Sequence, residues 1–125
     1  MTSRFDTAKD AAELFGPALA GESVEAVVAL HLDPGRRMIG MDVYPTPGRG
    51  AELPVRTILE AALRYDATIL ILGSNHPGGD PTPTGQDCAA TRDLADAARL
   101  LDIRLEDHLV YSGGEWRSLR QLGLL

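Results

Sequence analysis

A chain of 125 residues with 44% apolar side chains has material for one compact core, so a single domain over 1–125 is expected, with residues 1–20 an N-terminal helix and 21–125 the motif-bearing core. The formal net charge of −6 and pI near 4.9 disfavour nucleic acid and anionic membrane as partners, since both are bound through an excess of Lys and Arg. One cysteine, Cys88, excludes an internal disulfide, and the lack of a charged-then-apolar leader or of an apolar run of about 18 residues predicts a cytoplasmic protein.

From Asp6 to about Leu19, Ala8, Ala11, Leu14, Phe15 and Ala18 recur at helical spacing, with Pro17 expected to disturb the end and Gly21 to close it. Val24 to Leu32 is apolar and rich in β-branched residues. Asp33-Pro34-Gly35-Arg36 is a turn, and Arg37 to Tyr44 returns as the second strand of a hairpin. Pro45 to Gly50 is a loop by composition. Pro54 suits the first turn of a helix to about Tyr65 that buries Ile58, Leu59, Ala62 and Leu63. Ala67 to Leu72 is almost wholly apolar, which predicts a short, central, buried strand. A loop from Ser74 to Thr84 follows, then a helix from Gly85 to Leu101 with Cys88, Ala89, Leu94, Ala95, Ala98 and Leu101 inward. Cys88 suits a small buried hydrophobe. Ile103 to Tyr111 is a further strand, Ser112-Gly113-Gly114 turns, Glu115 to Arg117 pairs back, and Ser118 opens a terminal helical turn. Strands and helices mix without strict alternation, so the expected class is α+β, of the three-layer α/β type, with a mixed sheet flanked by helices.

The run from Ser74 to Asp87 carries the functional information, and its residue types taken alone have plain structural readings. Thr84-Gly85-Gln86-Asp87 has the spacing of a capping box. His76 before Pro77 suits a polar loop residue, Gly78-Gly79-Asp80-Pro81 an ordinary turn, and Glu25 a solvent-facing strand start. The run also resembles the HNHPSGDPTPS-x-x-D signature of the RadC-like branch of the JAB/MPN (JAMM) metallopeptidase domains. Seven residues separate His76 from Thr84 and two separate Thr84 from Asp87, as in that signature, whereas Ser74 stands where its first histidine belongs. The resemblance runs from Glu25 onward. Glu25 through Leu32-Asp33 is similar to the family's E-to-L-D hairpin opening, and Pro54-Val55-Arg56 is a degraded form of its P-R-E helix start. Glu106-Asp107-His108-Leu109-Val110 is similar to its L-D-H-I-V strand, and Ser118 to Leu125 to its closing segment.

The resemblance implies a JAB/MPN-like (cytidine-deaminase-like) fold and a zinc site for hydrolysis of peptide or isopeptide bonds, with a protein or peptide as substrate. His76 and Asp87 would be metal ligands, Ser74 a degenerate ligand position, Glu25 the general acid/base and Thr84 a donor to the developing oxyanion. Two strong protein ligands imply weak or partial occupancy by zinc. The alternative is a catalytically silent interaction module of the same fold. The family's historical label is DNA repair, against which the acidic charge counts. Of the two remaining histidines, His31 shares a strand face with Glu25 but lies six residues away, about 20 Å. His108 and His31 are both expected to be buried, hydrogen-bonded structural residues.

Overall fold

The computed structural model describes residues 4–20, 24–45, 53–77 and 79–125. Its elements, in order, are α1 (Ala8–Ala20), β1 (Ala26–Leu32), β2 (Met38–Pro45), α2 (Val55–Tyr65), β3 (Ile69–Asn75), α3 (Gly85–Leu100), β4 (Arg104–Ser112) and β5 (Glu115–Ser118). The five strands form one mixed sheet in the order β2-β1-β3-β4-β5. β1 pairs antiparallel with both β2 and β3, β4 with β5 likewise, and β3 pairs parallel with β4 across the α3 crossover. The expected α+β class and the central place of the third strand are both found, and among the described residues no helix is long and apolar enough to cross a membrane.

Alternation along the strands separates two cores. Ala26, Val28, Leu30 and Leu32 of β1 face α1, where they meet Ala11, Phe15 and Leu19. Val27 and Ala29, with Leu70 and Leu72 of β3, face Ile58 and Ala62 of α2 and Leu94 and Ala98 of α3. α1 lies so close to β3 that a Cβ on Gly73 would fall 2.5 Å from the Phe15 ring, which explains a glycine inside a central strand. The Tyr111 hydroxyl, donating to the Ala12 carbonyl at 2.6 Å, ties β4 to the same helix.

Several local expectations are corrected. α1 runs through Pro17 to Ala20, because a proline this near the C-terminal end removes little of the hydrogen-bond ladder. Leu63, Leu101 and Ala89 face outward, and the inward positions fall instead to Ala61 on α2 and to Asp87 and Thr91 on α3. Cys88 is buried against Val110 and Leu119, as expected for a small hydrophobe. The terminal turn forms, with Leu122 N–H donating to the Ser118 carbonyl at 3.0 Å and Gln121 N–H to the Ser118 hydroxyl at 3.1 Å. The expected closure at Gly21, residues 46–50 of the expected loop and Gly78 of the expected turn lie outside the described residues, and Pro45, expected to open that loop, is the last residue of β2.

Candidate metal centre

The site lies at the C-terminal end of β3, beside the start of α3. β3 continues past Leu72 to Asn75, so Ser74 and Asn75 are strand residues and not the start of a loop. The reason is lateral: Ser74 has Val27 of β1 on one side and Val110 of β4 on the other, so the polar end of a central strand still has ladder partners. The antiparallel register of β1 and β3, carried two residues further, sets Glu25 opposite His76. The buried Asn75 side chain fixes that placement, since its Oδ1 accepts from Ala26 N–H at 2.7 Å and its Nδ2 donates to the Val24 carbonyl at 3.0 Å. Glu25 is thus held from both sides along the chain.

Glu25, His76 and Asp87 come together, each offering a ligand atom within 4.8 Å of the others. Thr84 and Asp87 form the capping box: Thr84 Oγ1 accepts from Asp87 N–H at 3.0 Å, and Asp87 Oδ2 accepts from Thr84 N–H at 2.8 Å. The helix-cap reading and the site reading therefore describe one arrangement, because the same Asp87 Oδ2 also lies 3.1 Å from His76 Nε2. On the far side of the ring, His76 Nδ1 lies 3.0 Å from the Asp80 carbonyl oxygen, which has no proton to give, so Nδ1 carries one and donates it. Nε2 then faces Asp87 Oδ2, donating to it when the ring is doubly protonated and turning a lone pair toward it when only Nδ1 carries a proton. Two electron-rich atoms held together in this way suit a shared cation, and a backbone carbonyl fixing the outer nitrogen is the usual arrangement around a ligating histidine. The donor set of one imidazole and two carboxylates suits zinc. Burial raises the pKa of Glu25, with Asp87 adding to the rise and His76 opposing it.

Ser74 is not turned to solvent. It is 1% exposed, and its Oγ lies 2.8 Å from His108 Nε2. His108 Nδ1 lies 2.7 Å from Thr91 Oγ1, which donates in turn to the Asp87 carbonyl at 2.7 Å. Burial lowers the pKa of His108 to about 4, with Asp87 opposing and His76 adding to the fall. The expected buried, hydrogen-bonded His108 is found, but its partner is the degenerate ligand position itself. Thr91 escaped the sequence reading, although it lies one helical turn beyond Asp87 and so on the same face. Asn75 escaped it too, since nothing in an asparagine's identity shows which backbone groups it will meet. His31 is buried as expected, but it is not hydrogen-bonded: neither ring nitrogen has such a partner among the described residues.

Around the end of the sheet from the cluster, a cavity of about 850 Å³ opens between α1 and the β4–β5 turn. His76 and Pro77 form its wall on the cluster side, while Gly16, Leu19, Tyr111 and Trp116 make much of the rest apolar.

A mixed five-stranded sheet with a carboxylate–imidazole cluster at the end of its central strand defines an α+β domain with a potential metal-ligating group. The RadC-like JAB domain family matches residues 5–124, and the chain belongs to that family. Its sequence is 38% identical over 110 residues to a UPF0758 protein of Bordetella avium, covering 86% of this chain and 48% of that protein. It is 40% identical over 109 residues to a UPF0758 protein of Neisseria meningitidis, again covering 86% of this chain and 48% of the relative. With a UPF0758 protein of Roseiflexus castenholzii it shares 34% identity over 116 residues, covering 92% of this chain and 50% of the relative. The chain spans about half the length of these curated relatives.

Proposed function

We propose that this RadC-like JAB domain binds zinc weakly at His76 and Asp87, with Glu25 beside the ion as the proton carrier, and uses it for hydrolysis of a peptide or isopeptide bond. The observation that carries the reading is the orientation of His76, whose outer nitrogen is committed to the Asp80 carbonyl while the inner one faces Asp87 inside the cluster. Zinc bound there would supply an acidified water and polarise the scissile carbonyl.

The chain's own residues have separable tasks. Asp87 and His76 hold the ion, and the capping box keeps the Asp87 carboxylate aimed out of the helix start. Glu25, with its pKa raised by burial, is suited to take a proton and later return it to a leaving amine. Thr84 spends an oxygen lone pair on the cap and keeps its own proton, so it can donate to a developing oxyanion. The cavity beside His76 offers an apolar berth for substrate side chains.

Ser74 favours a second reading, in which the same fold serves as a silent interaction module, because a neutral hydroxyl is a poorer zinc ligand than the imidazole it replaces. One variant separates the two. Ser74→His should raise zinc affinity at least about tenfold, the lower end of what losses in the surrounding shell cost. Any hydrolysis of a peptide library by the parent or by Ser74→His should vanish on Glu25→Gln. Zinc bound no better by Ser74→His than by the parent, or no hydrolysis by either form, would leave the interaction module as the function.

A further inference from the structure

We propose that Ser74 and His108 act as one composite zinc donor, in which the imidazole accepts the serine proton and so frees the serine oxygen's lone pairs for the ion. The inference rests on the reading of the Glu25, His76 and Asp87 cluster as a zinc site.

Proton placement follows from the hydrogen-bond chain. Thr91 has a single hydroxyl proton, and it points at the Asp87 carbonyl, which can only accept. His108 Nδ1, at 2.7 Å from Thr91 Oγ1, must therefore be the donor in that contact. A neutral imidazole with a protonated Nδ1 has a bare Nε2, so the 2.8 Å contact to Ser74 is filled by the serine proton. Ser74 then has no proton left to present elsewhere and two lone pairs to offer.

Placement does the rest. Ser74 stands two residues before His76 and shares its side of β3, and Thr91 joins the His108 ring to the backbone of Asp87. The serine oxygen thus has the imidazole on one side and lies on the strand face that leads to His76. His108 cannot serve as a ligand in this arrangement, because both its nitrogens are occupied. Donation to a buried imidazole also raises the electron density on the serine oxygen, as hydrogen bonds in series polarise one another. The series returns to Asp87, so the residue whose carboxylate faces the ion also anchors the far end of the relay.

The test is zinc affinity by competition with a chromophoric chelator, with urea unfolding of each variant to verify the fold. Ser74→Ala and His108→Phe should each weaken zinc binding by about tenfold or more. The double variant should bind no more weakly than either single one, since each removes the same donor. His108→Gln, whose amide oxygen can still accept from Ser74, should recover part of the affinity lost in His108→Phe, which a merely structural role for the ring does not predict. Parent-like affinity in Ser74→Ala overturns the composite donor while leaving the zinc cluster standing. A parent without measurable zinc affinity removes the cluster reading and the donor together.

Discussion

Two buried histidines on the same side of the sheet, His31 on β1 and His108 on β4, flank β3 and have opposite surroundings. His108 has both ring nitrogens bonded, one to Ser74 and one to Thr91. His31 has neither bonded: its ring lies 4.9 Å from the Tyr65 ring at 45°, with the Asp42 carboxylate 3.8 Å from Nε2, beyond hydrogen-bond reach. Asp42 instead meets the Tyr65 hydroxyl at 3.1 and 3.2 Å. Tyr65 can lie there because position 40 is glycine, where a Cβ would fall 2.5 Å from its ring. Burial alone therefore does not make a histidine a polar anchor. On β4 the imidazole organises a network, and on β1 it is a flat ring that fills space and leaves two polar atoms unsatisfied among the described residues.

Acid should expose the difference most strongly. Both histidines have pKa values lowered by burial, so each contributes stability that is complete above the unfolded value of 6.5 and is lost as pH falls through the folded value. For His108 that window runs from 6.5 down to about 4 and corresponds to about 3 kcal/mol. Urea unfolding at pH 7 and pH 4 should show His108→Phe losing less stability on acidification than the parent, by about that amount. Equal acid losses in parent and variant would mean that His108 takes up its proton over the same pH range folded as unfolded.

The same substitution should act in opposite directions at the two positions at constant pH. His31→Phe keeps the ring against Tyr65 and removes two unsatisfied atoms, so it should stabilise the protein by about 1–3 kcal/mol at pH 7.5. His108→Phe leaves the Ser74 hydroxyl without its acceptor and should destabilise by about as much. If both changes destabilise, an unseen partner satisfies His31 and the contrast is lost.

A smaller effect sharpens the same contrast through helix starts. α3, at the cluster end, opens with a full capping box, whereas α2 opens at Pro54 with no side-chain cap. Thr84→Ala should cost about 1 kcal/mol of unfolding free energy, read from the urea midpoint. A change well below that would show that Asp87 holds the helix start unaided.

Most of the fold was legible because the apolar periods were clean. The run from Ala67 to Leu72 announced a buried central strand, and the apolar run of 24–32 announced the strand that pairs with it. Helix faces were less legible. Leu63 and Leu101 fit the spacing yet point outward, since periodicity cannot tell which edge of an apolar stripe the sheet will cover. At the candidate site, the resemblance to the RadC-like signature brought Glu25, His76 and Asp87 to notice, and these three do meet. The partner of Ser74 was not legible, because it depends on the parallel register that sets Leu72 beside His108. Nor was the isolation of His31, which follows from Tyr65 taking both oxygens of the one nearby carboxylate.

The parallel pairing of β3 with β4 also bears on how the protein is made. Its partners lie some 35 residues apart in the chain, as Leu72 and His108 show, and they meet only after α3 has crossed between them. Contacts of such separation must meet the entropy of loop closure before they return any energy, and they form late and slowly. The cluster needs Glu25 from before β1, His76 from the end of β3 and Asp87 from α3, and its support needs His108 from β4. No half-folded chain therefore contains it. A ligand captured there favours the finished protein over every precursor, so uptake would mark the completion of folding and would raise the unfolding midpoint in proportion to the logarithm of ligand concentration.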